Sequence, residues 1–149
     1  ELLLEGIPDA KTAHLVLVAQ QLRGDPAALA SRLRAELHQL VASLARRDWE
    51  EAATCVRQVT DEPAALIEPD DFSAAMETFF NDHEELVFDH RARLAEHTQL
   101  NPEGDNRWKV VQVLLDPSEE NLWCIEGQVD LSDEANVEGP LITVTRIGT

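Results

Sequence analysis

The stretch Arg107-Trp108-Lys109-Val110-Val111-Gln112-Val113-Leu114-Leu115-Asp116-Pro117 decides the reading of this chain. Its continuation is Leu122-Trp123-Cys124-Ile125-Glu126-Gly127-Gln128-Val129-Asp130-Leu131. Successive side chains of a strand point to opposite faces, so strict alternation marks a half-buried strand. In the second run Trp123, Ile125, Val129 and Leu131 share one face, with Gly127 in step between them. Leu122, Cys124, Glu126, Gln128 and Asp130 share the other face, which is mostly polar. Asp116-Pro117 interrupts the alternation with turn chemistry. A third run, Leu141-Ile142-Thr143-Val144-Thr145-Arg146-Ile147, follows. Three such runs in succession predict an antiparallel meander with one wet face and one face covered by helices.

Working outward towards the N-terminus, the period changes from two to three or four. Leu29, Leu33, Leu37, Leu40 and Leu44 form one apolar stripe behind Asp25 as N-cap and Pro26 in the first turn. That helix should end near Arg46-Arg47. Before it, a helix starting at Asp9, after Pro8, should run through Leu15, Val16, Val18, Ala19 and Leu22. Gly24 would supply its left-handed C-terminal residue. The β-branched Val16 and Val18 leave a strand reading open there. Asp48-Trp49-Glu50-Glu51 has the spacing of a capping box and opens a third helix with Trp49, Ala52, Ala53 and Val56 inward. Thr60 to Pro69 should be irregular, since Pro63 and Pro69 bar a continuous helix. Asp70 or Asp71 then caps a fourth helix with the stripe Phe72, Ala75, Met76, Phe79 and Phe80, extended by Leu86 or Val87. Beyond Phe88 the pattern weakens. His97 to Leu100 offers a short first strand before the turn Asn101 to Asn106.

These elements give an α+β fold: about four N-terminal helices packed on one face of a C-terminal antiparallel meander of three to four strands. One domain should span 1–149, with a helical part at about 9–94 and a sheet part at about 95–149. A helix-then-curved-sheet order is also compatible with a cone-shaped fold like the nuclear-transport-factor-two superfamily, by fold-level analogy alone.

Charge is the strongest bulk constraint. Twenty-nine acidic against twelve basic residues leave a formal charge of −17, which counts against a nucleic-acid binder that must neutralise phosphates. Arg32-Arg34, Arg46-Arg47 and Arg91-Arg93 keep a small basic patch open. No apolar run reaches the roughly 18 residues of a membrane span. Leu2-Leu3-Leu4 lacks the length and the basic flank of a signal sequence. The start at Glu1 rather than Met suggests a piece of a longer, cytoplasmic chain. Cys55 and Cys124 read as free thiols in a reducing compartment.

Candidate chemistry is thin. His83, His90 and His97 recur every seventh residue, which on a helix separates neighbours by about 10 Å, too far for one metal ion. No nucleophile elbow, phosphate loop or cofactor motif is present, so neither catalysis nor a cofactor is expected. His90, Gln112 and Asp130 are the polar residues named for a pocket between helices and sheet. Trp108 and Trp123 read as core in preference to base-stacking platforms.

Trp108, Val110, Gln112, Leu114, Asp116 and Pro117, with Trp123, Val129, Asp130 and Leu131, carry a family resemblance. The pattern resembles a domain of unknown function at the C-terminal end of DEAD/DEAH-box RNA helicases of actinobacterial and myxobacterial type. The match is close over about residues 105–148 and departs at Leu122, where the family pattern has Asp. The resemblance implies a non-catalytic accessory domain. ATP hydrolysis and strand contact would belong to a helicase core in the same polypeptide, with that core or another protein as partner. The alternative is a stand-alone small-ligand-binding or enzymatic domain.

Overall fold

A computed structural model of the protein describes residues 10–59 and 62–149. Four helices come first: α1 (Ala10–Gly24), α2 (Pro26–Ala45), α3 (Trp49–Thr54) and α4 (Pro69–Asp82). Four strands follow: β1 (Thr98–Pro102), β2 (Arg107–Leu114), β3 (Trp123–Asp130) and β4 (Thr143–Gly148). The sheet is an antiparallel meander in the order β1-β2-β3-β4. Short 3-10 turns at Ala95–His97 and Glu134–Val137 precede β1 and β4. The fold is α+β, with helices N-terminal and strands C-terminal.

The parity of β3 fixes its faces. Trp123, Ile125, Gly127 and Val129 are buried, and Glu126 and Gln128 turn outward. On β2, Val110, Gln112 and Leu114 share the buried face, with Trp108 in phase but only half-buried. The leucine stripe of α2 is buried from Leu29 to Leu44, and α4 contributes Phe72, Met76 and Phe79 to the same core cluster. The outer face carries the ion pairs Lys109–Glu126 (3.6 Å), Arg146–Glu126 (2.9 Å) and Arg107–Asp130 (3.6 Å).

The helix junctions differ from the sequence expectations, each for a physical reason. Asp9 and Pro8 lie outside the described residues, as does Thr60. The strand alternative at Val16 and Val18 is overruled, since both sit inside α1. Gly24 is not left-handed: it is the last helical residue, and Asp25 restarts the chain at once by capping Ala27 and Ala28. The left-handed residue is Arg47 after α2 (φ 56°), where the guanidinium lies 3.9 Å over the Phe80 ring. Asp48 caps α3 by accepting from the Glu51 N–H (3.1 Å). Its own N–H bonds the Ser43 carbonyl, so the Glu51 carboxylate pairs with Arg46 instead of closing a box. Helix α4 starts earlier than expected: Glu68 is its N-cap, Pro69 sits inside the first turn, and Asp71 is the reciprocal partner of the box. The helix stops at Asp82, so Leu86 reaches the core from coil and Val87 bridges Leu115.

Glu36 on α2 ties the helices to the last strand. Its carboxylate accepts from the Leu141 (2.8 Å) and Ile142 (3.3 Å) N–H groups. Arg32 pairs with Glu36 (3.3 Å) and donates to the Gly139 carbonyl (2.7 Å). Burial pushes the Glu36 carboxyl above the usual range, outweighing those donors and Arg32.

The two sheet edges are treated differently. Beside β4, Arg57 N–H donates to Ile142 O (2.8 Å) and Leu66 N–H to Val144 O (3.0 Å). Coil therefore covers that edge. Among the described residues, β1 has β2 alone as a strand neighbour and ends in Pro102.

Candidate functional site

The residues of the sheet signature resolve into three kinds of work. Trp123 is core: it is 9% exposed and meets the Phe79 ring edge-on at 5.5 Å. Val129, at the other end of β3, belongs to the same buried cluster. Gln112 is fully buried, opposite Thr98 on β1, whose hydroxyl donates to its amide oxygen. Its amide nitrogen donates to the Val113 carbonyl (3.2 Å).

Asp116 builds the β2–β3 turn. It is 3% exposed and accepts from the Glu120 (3.2 Å) and Asn121 (2.9 Å) N–H groups. Those bonds hold Glu119 (φ 59°) and Asn121 (φ 53°) in left-handed backbone. Pro117 follows, where its fixed φ suits the first corner of the turn. Burial alone would raise the Asp116 carboxyl; the donors from Asn121 and Glu120, with His83 nearby, outweigh it and hold the carboxyl below the usual range. The carboxylate therefore contributes stability above the unfolded value of about 3.9, lost as pH falls through that value towards the lower folded one. Asp116→Ala leaves buried donors unmet and is expected to cost about 2–4 kcal/mol at neutral pH in urea unfolding. The difference from the parent chain should shrink near pH 3. A cost below about 0.5 kcal/mol would show that the turn does not depend on this carboxylate.

Asp130 closes β3 on the opposite face. It accepts from the Ser132 hydroxyl and N–H, and these bonds, with the Ser132 hydroxyl foremost, hold its carboxyl below the usual range. The pocket expected from His90, Gln112 and Asp130 does not form. Gln112 faces the core, Asp130 shares the outer face with Glu126 and Gln128, and His90 is exposed in a turn. The three histidines do not share a helix either. His83 follows α4 and lies 3.9 Å from Asp116, while His97 ends a 3-10 turn 3.7 Å from Glu96. Leu122, the departure from the signature, is 65% exposed. Cys55 is buried and Cys124 half-buried, both as free thiols.

What the sequence reading missed is an apolar groove of about 350 Å³ at the β1 edge. Leu22 from α1, Pro26 and Leu29 from α2, Leu100 from β1 and Trp108 from β2 line it. The one visible signal was Trp108, whose parity points inward at a strand end where the core thins out. The arrangement can accept an apolar side chain of a partner beside a sheet edge. Among the described residues, no helix is long and apolar enough to cross a membrane.

Residues 6–147 match a family model described as a domain of unknown function (DUF3516). No curated protein matches the chain.

Proposed function

The chain belongs to the family of the domain of unknown function (DUF3516), and from that premise we propose that it is a non-catalytic accessory or protein-interaction domain. The observation that supports this is the fate of the signature's polar groups. Gln112, Asp116 and Asp130 are each engaged in hydrogen bonds that hold the sheet and its turns, on two different faces. None is directed with the others at a common cavity. What the signature leaves partly open is Trp108, which with Leu100 of β1 walls the apolar groove at the β1 edge, a docking feature and not a reaction centre.

The sequence resemblance to the C-terminal extension of DEAD/DEAH-box RNA helicases supplies the parent in this reading. Helicase chemistry belongs to the remainder of that cytoplasmic polypeptide, and this domain packs on it or positions a partner. The charge of −17 supports a domain that does not itself grip RNA. The test is the size of the native polypeptide, read by immunoblotting source-cell lysate with an antibody against this chain. A band far above 16.6 kDa is expected. A band near that mass would overturn the appended-domain reading.

A further inference from the structure

The β1 edge of the sheet offers backbone groups that the β4 edge does not. The Glu103 N–H donates to the Arg107 carbonyl (2.9 Å) and the Leu131 N–H to the Asn106 carbonyl (2.7 Å). Bonded and non-bonded pairs alternate along an antiparallel ladder, so odd-numbered residues of β2 turn their backbone towards β1 and even-numbered ones towards β3. Leu100 faces Val110, a non-bonded pair, and its own N–H and carbonyl therefore point out from the edge. The Thr98 and Pro102 carbonyls point the same way, while the Thr98 N–H is taken by the Ala95 carbonyl. Among the described residues no strand pairs with that edge. At the other edge the Ile142 and Val144 carbonyls are already met by the Arg57 and Leu66 N–H groups.

A strand added at β1 would have its side chains placed by the same parity. Residues directly opposite each other share a face, so the residue bonded to Leu100 sends its side chain to the Leu100 face, where Trp108 stands on the diagonal. That face opens into the apolar groove of about 350 Å³ walled by Leu22, Leu29, Leu33, Leu100 and Trp108, with room for a large apolar side chain. Pro102 has no N–H to give, which ends the pairing there and keeps the edge short.

Both ends of this edge are acidic. Glu103 and Asp105, both exposed, follow Pro102 in the turn, and Glu96 precedes Thr98. Asp25 stands before Pro26 at the helical wall of the groove. Two cations nearby are already engaged: Arg107 pairs with Asp130 (3.6 Å), and Arg23 donates to the Leu131 carbonyl (2.8 Å). Resting on the interaction role already proposed, we infer that β1 takes up an extended segment of a partner protein as a further strand, with a large apolar side chain at its centre and Lys or Arg at its ends. Main-chain bonds to Leu100 hold the segment, the groove selects its apolar residue, and the carboxylates select its charge. A second copy of the chain would bring the same acidic ends and the same charge of −17 to the edge, so like charges oppose that occupant. A nucleic-acid strand meets the same repulsion.

The test is fluorescence anisotropy of the full chain, at physiological salt, with labelled peptides Arg-Lys-Val-Thr-X-Thr-Val-Lys-Arg in which X is Leu, Ile, Phe or Met. Saturable binding is expected for at least one of them. Asp at the centre, or Glu in place of the basic residues, should weaken it about tenfold or more. N-methylation of the central amide removes the donor to the Leu100 carbonyl and should abolish it. On the protein, Trp108→Ala should weaken binding about tenfold or more. Glu103→Lys should weaken the basic peptide and strengthen the acidic one. Glu77→Lys, on α4 beside β4, should change neither, since exposed charges more than about 8 Å apart are screened. Glu103 is exposed, so its variant keeps the test valid if Trp108→Ala fails to fold. No saturable binding by any basic peptide, or equal binding of the acidic or N-methylated forms, overturns the proposal. A chain that sediments as a dimer held through Trp108 overturns it in favour of a second copy. The appended-domain reading is decided separately, by the mass of the native polypeptide on the immunoblot.

Discussion

Trp123→Ala lowers the stability of the chain by about 3–5 kcal/mol, the range for truncating a large buried ring. At roughly 2–4 °C per kcal/mol for a chain of this size, Tm should fall by about 6–20 °C. Trp123 is one end of a row of rings. It meets Phe79 edge-on at 5.5 Å, Phe79 meets Phe80 edge-on at 5.3 Å, and Phe80 lies 6.4 Å from Trp49. The row runs from the sheet through α4 to α3, so removing its first member opens a cavity where three elements meet. Edge-to-face pairs contribute about 0.5–1.5 kcal/mol beyond the area they bury. A double-mutant cycle with Phe79→Ala should therefore return a coupling of that size. Trp108→Ala, at a half-buried strand end, should cost clearly less. If both tryptophan variants melt alike, the assignment of Trp123 to the core and Trp108 to the groove is wrong.

The second large effect comes from adding atoms. A Cβ on Gly127 would stand 2.8 Å from the Ile142 side chain, 2.9 Å from the Thr143 carbonyl oxygen and 3.2 Å from Val110. The carbonyl belongs to backbone, so it cannot yield by a rotamer change. The β3–β4 register already shifts between Glu126 and Gly127, and Thr145 bonds the Glu126 carbonyl (3.2 Å) at that irregularity. Overpacking a closed core costs about 1–3 kcal/mol. With two further methyls and an immovable carbonyl, Gly127→Val is expected at or above the upper end. The β-propensity gained by replacing glycine offsets at most about 1 kcal/mol of it. Urea unfolding gives the size, and amide exchange at Leu66 and Val144 shows whether β4 has peeled away. A variant as stable as the parent would mean that the strands slide apart at no cost.

How much of this was legible depends on the range of the interaction involved. Alternation in β2 and β3 needs only the pleat, and the leucine stripe of α2 needs only the helical period; both faces came out as the residues indicated. Helix ends were harder because capping groups have several options. Asp71 serves α4 from inside the first turn, and Arg47 takes the left-handed position that a glycine was expected to fill elsewhere, at Gly24. The candidate pocket failed on information that was present: Gln112 and Asp130 fall on opposite faces by parity alone. His90 had no periodic context to place it.

The bond from Glu36 to Leu141 spans a sequence separation of 105. A ribosome delivers the chain N-terminus first. The stripe on α2 is therefore synthesised long before the segment that Glu36 anchors, and the helices wait with their apolar faces open until β4 arrives. Closing so wide a loop is entropically slow. The helical half thus keeps its apolar faces open while translation proceeds, and its final compaction waits for the segment that carries Leu141 and β4.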